Sequence, residues 1–118
     1  MKHLLLYFFI IISSFSYAQE SSKDLNEIKT LIIKETQTEG KLDFFTPIKG
    51  KEYDGYQIKP GLVATYSEMA LYNWAKSAKE LGIDDLEELY TLYSEARKKG
   101  INPMEKELLK MGFNKELD

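Results

Sequence analysis

The side chains that could do chemistry in this chain are carboxylates, lysines, tyrosines and hydroxyls, because it contains no cysteine and only one histidine, His3. We expect His3 to be removed with a leader segment, which leaves no imidazole. Without thiol or imidazole, Ser-His-Asp and Cys-His nucleophile activation and Cys- or His-ligated metals are excluded. Four acids lie around a turn-rich segment: Asp43, Glu52, Asp54 and Glu68. Two carboxylates held about 5–9.5 Å apart can hydrolyse a glycosidic bond.

Nothing in the spacing of these acids singles out a catalytic pair, and acids near turns and helix starts are explained by solubility and capping. A second, denser acidic group consists of Asp84, Asp85, Glu87 and Glu88. It lacks the Asp-x-Asp-x-Asp-Gly spacing of a calcium loop, and it is expected in the first turn of a helix, where negative charge favours the dipole. We therefore predict a non-enzymatic protein without catalytic residues, metal or cofactor. A carboxylate-dependent glycan hydrolase is the enzymatic alternative.

Exposed aromatic and apolar side chains are the better candidates for function. On a helical wheel of residues 66–81, an apolar patch lies on the side away from Trp74. Two tyrosines that flank a predicted turn can join this patch as anchors for a protein partner. The predicted partner-binding residues are Met69, Tyr72, Lys76, Tyr53 and Tyr56. The alternative is that a helix over residues 23–37 packs against the patch and buries it.

The first eighteen residues have the features of a secretory signal peptide. Lys2 precedes nine apolar residues, Leu4 to Ile12, and Ser16 and Ala18 form the small-x-small pattern required for cleavage. Nine residues fall short of the roughly 20 that span a bilayer. We therefore predict cleavage near Ala18 and no stable membrane anchor, with a retained anchor as the alternative. The lack of cysteine also removes the attachment site of a lipoprotein, so the expected location is periplasmic or secreted, in a bacterium.

The remaining residues, 19–118, are predicted to form one small domain. Removal of Lys2 leaves 15 basic against 19 acidic residues, a net charge of −4. Such a surface has no general attraction for nucleic acid or anionic lipid, so neither is expected as a partner.

Three helices are predicted at 66–81, 85–99 and 103–111. Three copies of a Gly-apolar-Asx motif begin at Gly82, Gly100 and Gly112. In each copy, glycine is expected to end one helix in a left-handed conformation and the Asx residue to cap the next. The predicted capping boxes are Thr65 with Glu68, Asp84 with Glu87, and Asn102 with Glu105.

The segment before these helices is predicted to contain another helix and a hairpin. Ser22 can cap a helix over 23–37, although the run from Thr30 to Ile33 is also compatible with a strand. Asp54-Gly55 predicts a two-residue hairpin turn with arms at 50–53 and 56–59. The expected fold is mainly α (α+β), a compact bundle of about four helices with one small β-hairpin near 50–59.

The segment from Leu86-Glu87-Glu88-Leu89 through Gly100-Ile101-Asn102-Pro103 and the helix beyond it resembles the helix-hook-helix dimerisation segment of bacterial antirepressors. The resemblance covers roughly a quarter of the chain. It implies that a helical hook over 85–111 can form a homodimer or pair with a partner helix.

Together these features predict an exported bacterial protein-binding domain, an accessory subunit of an envelope or secretion assembly whose partner is a protein of the cell envelope. A periplasmic immunity-type inhibitor of a toxin is the alternative within the same class.

Overall fold

A computed structural model describes residues 24–118 of the chain. The predicted signal peptide over 1–18 and the predicted cap Ser22 lie outside these residues. The elements, in chain order, are α1 (Leu25–Thr36), a 3₁₀ turn (Thr46–Ile48), β1 (Gly55–Lys59), β2 (Leu62–Thr65), α2 (Tyr66–Leu81), α3 (Leu86–Arg97) and α4 (Pro103–Phe113). Over the described residues, the predicted mainly α fold with four helices and one antiparallel hairpin is confirmed. Within residues 24–118, no helix is both long and apolar enough to cross a membrane.

Two of the three predicted capping boxes begin helices as expected. The Thr65 hydroxyl accepts the Glu68 N–H at 3.1 Å, and the Glu68 carboxylate accepts the Thr65 N–H at 2.8 Å. Asn102 and Glu105 make the same reciprocal pair at the start of α4. Because Thr65 is also the last residue of β2, the hairpin leads directly into α2.

The predicted cap at Asp84 is wrong by one residue. The Asp85 carboxylate accepts the Glu88 N–H at 3.0 Å and begins α3. Ile83 is fully buried, which draws the chain inward and moves the helix start forward by one position.

Each part of the Gly-apolar-Asx interpretation holds at a different copy: the glycine ends a helix at the first copy, and the Asx residue, Asn102, caps a helix at the second. Gly82 ends α2 with a φ of +127°. At the second copy the left-handed residue is Lys98, with a φ of +55°, and not Gly100. The third copy does not end a helix, because Gly112 lies inside α4 and is buried. Asn114 follows that helix as its C-cap and begins no further helix.

The hairpin exists, but its predicted turn is wrong. The strands pair Gly55 with Thr65 and Lys59 with Leu62, so the connection is Pro60-Gly61. Gly61 has a φ of +83°, as the third residue of a type II turn requires, while the preceding proline supplies the fixed φ of the second. The turn therefore forms at Pro60-Gly61 and not at Asp54-Gly55.

The core is centred on Trp74 of α2, which is fully buried. Its indole N–H donates to the Thr36 hydroxyl at 2.9 Å, and that hydroxyl donates to the Ile32 carbonyl at 2.6 Å. The ring of Tyr93 on α3 meets the indole edge-on, with centroids 5.3 Å apart. Helices α1, α2 and α3 thus share one apolar and hydrogen-bonded centre. The other buried members are Leu42, Leu71, Ala75, Ala78, Ile83, Leu89, Leu92, Ala96 and Leu109.

Helix α4 lies directly against α2. A Cβ built on Gly112 would overlap the backbone carbonyl oxygen of Tyr72 and lie 2.9 Å from its carbonyl carbon. Such an approach is open only to glycine, which explains why a glycine lies inside this helix. The hook predicted over 85–111 is therefore packed within its own chain through α4.

The hook also carries an ionic network near its bend. The Tyr93 hydroxyl donates to the Glu105 carboxylate at 3.3 Å, and Lys99 pairs with the same carboxylate at 2.5 Å. Burial, together with the neighbouring Glu105, raises the pKa of Tyr93 to about 12. These contacts connect α3 and the residues after it to the first turn of α4.

Candidate partner-binding surface

The five residues predicted to bind a partner fall into three groups in the structure. Met69 and Tyr56 line one surface hollow. Tyr53 is 89% exposed but does not line that hollow. Tyr72 and Lys76 lie elsewhere, against the last residues of the described chain. The structure therefore brings Met69 together with Tyr56 and Tyr72 together with Lys76, and it leaves Tyr53 apart.

The sequence left open whether Tyr72 is exposed or covered, and in the structure it is covered. Its side chain is 2% exposed, its hydroxyl donates to the Asp118 carboxylate at 2.8 Å, and it accepts the Leu117 N–H at 2.9 Å. Lys76 pairs with Asp118 at 2.6 Å. Burial is the largest cause that raises the pKa of the Tyr72 hydroxyl. The covering element is α4 with the turn after it, and not helix 23–37, which was the alternative from the sequence.

The shared hollow, which we call the aromatic hollow, has a volume of about 320 Å³. One wall is the first half of α2, another is the 3₁₀ turn with the residues before it, and β1 contributes the rim. Its lining consists of Asp43, Phe44, Pro47, Ile48, Tyr56, Tyr66, Met69, Ala70 and Asn73. Most of these side chains are apolar or aromatic, with a few polar groups at the edge, which is the usual composition of a binding site.

Asp43 holds the 3₁₀-turn wall in place. Its carboxylate accepts backbone N–H groups from Phe45 at 3.2 Å, Thr46 at 3.0 Å and Glu39 at 3.0 Å. Burial alone would raise the pKa of this carboxyl, but the hydrogen bonds, chiefly from Thr46, outweigh it and hold the pKa below its ordinary value. The carboxylate is thus part of the scaffold of the hollow.

Acid is expected to destabilise the protein through Asp43. Since its pKa is lower in the folded than in the unfolded state, the unfolded state binds more protons as the pH falls through about 4, and the free energy of unfolding decreases. Asp43→Asn is expected to lower stability at pH 7 and to flatten the decline between about pH 5 and 3, as measured by urea denaturation. Asp54→Asn is the control, because that exposed carboxylate makes no hydrogen bond among the described residues. An unchanged acid slope in Asp43→Asn would contradict the assignment.

Two tyrosines form the rim of the hollow. The rings of Tyr56 on β1 and Tyr66 on α2 lie with centroids 5.6 Å apart, and the Lys51 ammonium lies 5.5 Å from the centre of the Tyr66 ring. Tyr56 is 42% exposed. The rim therefore presents an aromatic surface with a cation beside it.

Of the other three acids around the turn-rich segment, Glu52 and Glu68 have structural partners, whereas the exposed Asp54 carboxylate makes no hydrogen bond among the described residues. The Glu52 carboxylate accepts the Gly50 N–H at 2.6 Å, and the Glu68 carboxylate accepts the Thr65 N–H at 2.8 Å. In the denser acidic group, Asp85 caps α3 and Glu88 pairs with Lys29 at 3.4 Å. Backbone hydrogen bonds and an ion pair account for these four carboxylates.

Sequence reasoning missed most of the hollow, because its wall is formed by a segment without helical or alternating periodicity. The signal was present in Asp43-Phe44-Phe45-Thr46-Pro47. An aspartate three residues before a threonine is typical of a capped turn, and so is a proline directly after the threonine. Such a turn next to two phenylalanines indicates a short wall packed on the core.

No protein-family model matches this chain, and comparisons with curated proteins and with solved structures find no match either.

Proposed function

We propose that this chain is an exported protein-binding domain of the bacterial cell envelope, an accessory subunit of an envelope or secretion assembly, and that its partner binds at the aromatic hollow. The observation that carries the proposal is the meeting of Met69 and Tyr56 in one apolar hollow at the surface. Export is supported by the sequence of residues 1–18 and by the absence of cysteine.

The form of the hollow favours a protein partner. Large amphipathic side chains such as tyrosine supply much contact area at low cost in conformational entropy, and they are enriched where binding energy concentrates in interfaces. Tyr56 is half-exposed and Met69 lies on the helix behind it. A side chain of the partner can enter between them and remain in contact with apolar atoms on three sides.

Affinity purification of the processed protein from the envelope fraction of its own host tests this proposal. Met69→Ala is expected to weaken capture of the partner about tenfold, the loss of one well-packed interface side chain. Met104→Ala is the matched control, because Met104 is 67% exposed and lies on α4, outside the hollow. Helical circular dichroism checks that both variants are folded.

Equal capture by the two variants would show that the hollow is not the binding site. The identity of the captured protein separates the two functions predicted from the sequence. A component of an envelope assembly supports the subunit role, whereas a toxin in a one-to-one complex would replace it with the immunity-type inhibitor.

A further inference from the structure

Within residues 24–118, the β1 edge of the hairpin beside the aromatic hollow has backbone groups that make no hydrogen bond. The Tyr66 N–H donates to the Asp54 carbonyl at 3.1 Å, so these residues form a hydrogen-bonded pair of the ladder. Hydrogen-bonded and non-hydrogen-bonded pairs alternate along antiparallel strands. The pairs Gly55–Thr65 and Gln57–Val63 are therefore of the second type, and their N–H and C=O groups point away from the hairpin.

The outer edges of β1 and β2 differ in how many backbone groups are free to pair with another strand. On β2, the outward N–H of Thr65 is already used by the Glu68 carboxylate at 2.8 Å, and the strand continues directly into α2. On β1, Gly55 and Gln57 are both exposed, and no hydrogen bond from their outward groups occurs within residues 24–118. Among the described residues, the edge of β1 therefore offers two residues with free outward groups, Gly55 and Gln57, whereas on β2 both outward groups are free only at Val63.

The charge next to this edge indicates what kind of strand it accepts. Lys49 and Lys51 precede β1 in the chain and Lys59 is its last residue, and all three are exposed and form no ion pair among the described residues. Of the acids in this segment, Glu52 is hydrogen-bonded to Gly50 and Asp54 is exposed, so the lysines outnumber the acids. The protein as a whole is acidic, with a formal net charge of −3. Unpaired lysines at this one edge oppose pairing with the same edge of a second copy, since like charges would meet, and they favour an acidic strand.

We propose that the free edge of β1 binds an extended, acidic segment of the partner as a third strand, with one of its apolar side chains in the aromatic hollow. This inference rests on the proposed function and names the chemistry of its partner. Main-chain hydrogen bonds to Gly55 and Gln57 supply affinity and direction, and the hollow beside Tyr56 supplies side-chain specificity, as in other cases of strand addition. A third strand also stabilises the sheet, because an isolated two-stranded hairpin is marginal in water.

A pair of proline variants tests the edge directly. Gln57→Pro removes an outward N–H of β1, and Val63→Pro removes one from the opposite residue of β2. Proline is tolerated at edge positions whose N–H faces solvent, so both variants keep the β1–β2 hydrogen bonds. Capture of the partner from the envelope fraction is expected to fall about tenfold with Gln57→Pro and to stay near the wild-type level with Val63→Pro.

A second pair of variants tests the role of the lysines beside β1. The double change Lys51→Glu with Lys59→Glu is expected to weaken capture about tenfold and to remove most of its salt dependence. Lys34→Glu with Lys110→Glu is the control, since it alters the net charge equally at two exposed lysines on α1 and α4. Amide hydrogen exchange in the captured complex is expected to slow at Gly55 and Gln57.

The outcomes distinguish strand addition at β1 from partner binding at the aromatic hollow. Capture that depends on Met69 but is equal for Gln57→Pro and Val63→Pro, without slowed exchange in β1, overturns the added strand and leaves the hollow as the binding site. Equal effects of the two lysine pairs overturn the acidic character of the segment. Absence of any captured protein overturns both the inference and the proposed function.

Discussion

Replacing Gly112 with alanine is expected to lower the free energy of unfolding by about 3 kcal/mol or more. In the middle of a helix, glycine to alanine normally stabilises by about 1 kcal/mol. Here the added methyl group would overlap the backbone of Tyr72 on α2, which cannot move aside as a flexible side chain can. The two helices would have to separate, which would loosen the cover over Tyr72. Urea denaturation, monitored by helical circular dichroism, measures the change in the free energy of unfolding. A decrease supports the close contact of α2 and α4, because glycine to alanine in a helix without such a contact gives an increase.

Gly100→Ala is the matched control for this variant. A Cβ at Gly100 meets no atom within 4 Å, and its φ is not in the left-handed region. The change is expected to stay within about 0.5 kcal/mol of the wild type. Wild-type stability in Gly112→Ala would mean that α2 and α4 do not approach each other as described.

Replacing Trp74 with alanine is expected to cost about 3–5 kcal/mol. This is a large part of the roughly 5–15 kcal/mol by which small domains are stable. The change removes the largest fully buried side chain, breaks the edge-on contact with Tyr93 and leaves the Thr36 hydroxyl without its donor. Thermal unfolding followed by circular dichroism is expected to show a strongly lowered midpoint or no cooperative transition.

Leu81→Ala provides the comparison on the same helix. The helical wheel places Leu81 in one stripe with Trp74, but it is 41% exposed at the end of α2. Its truncation is expected to cost less than about 1 kcal/mol. A larger loss for Leu81→Ala than for Trp74→Ala would place the centre of the core elsewhere.

The sequence predicted the helices well where a helix start is encoded locally. Thr65 with Glu68 and Asn102 with Glu105 each satisfy two backbone groups within four residues, so the start of the helix does not depend on distant parts of the chain. At Gly112, by contrast, the prediction from local sequence was wrong. A glycine that follows an amphipathic run is typical of a helix end. Only the position of α2 shows that Gly112 is needed for the close approach of two helices.

The candidate site could be predicted only in part for the same reason. Met69 and Tyr56 are separated by thirteen positions, and the Pro60-Gly61 turn brings them together. Tyr72 has the amphipathic position of an exposed residue on α2, but Asp118 and Leu117 reach it from the end of the described chain. Periodicity reports which face of a helix is apolar, and it does not report which element covers that face.

The buried position of the single tryptophan gives the protein an intrinsic optical probe. Trp74 is shielded from water and does not line the hollow, whose aromatic residues are Phe44, Tyr56 and Tyr66. Its fluorescence is therefore expected to follow unfolding and to remain silent when a partner occupies the surface. A binding titration that shifts the tryptophan emission would report a rearranged interior, and a change confined to tyrosine emission would report the hollow itself.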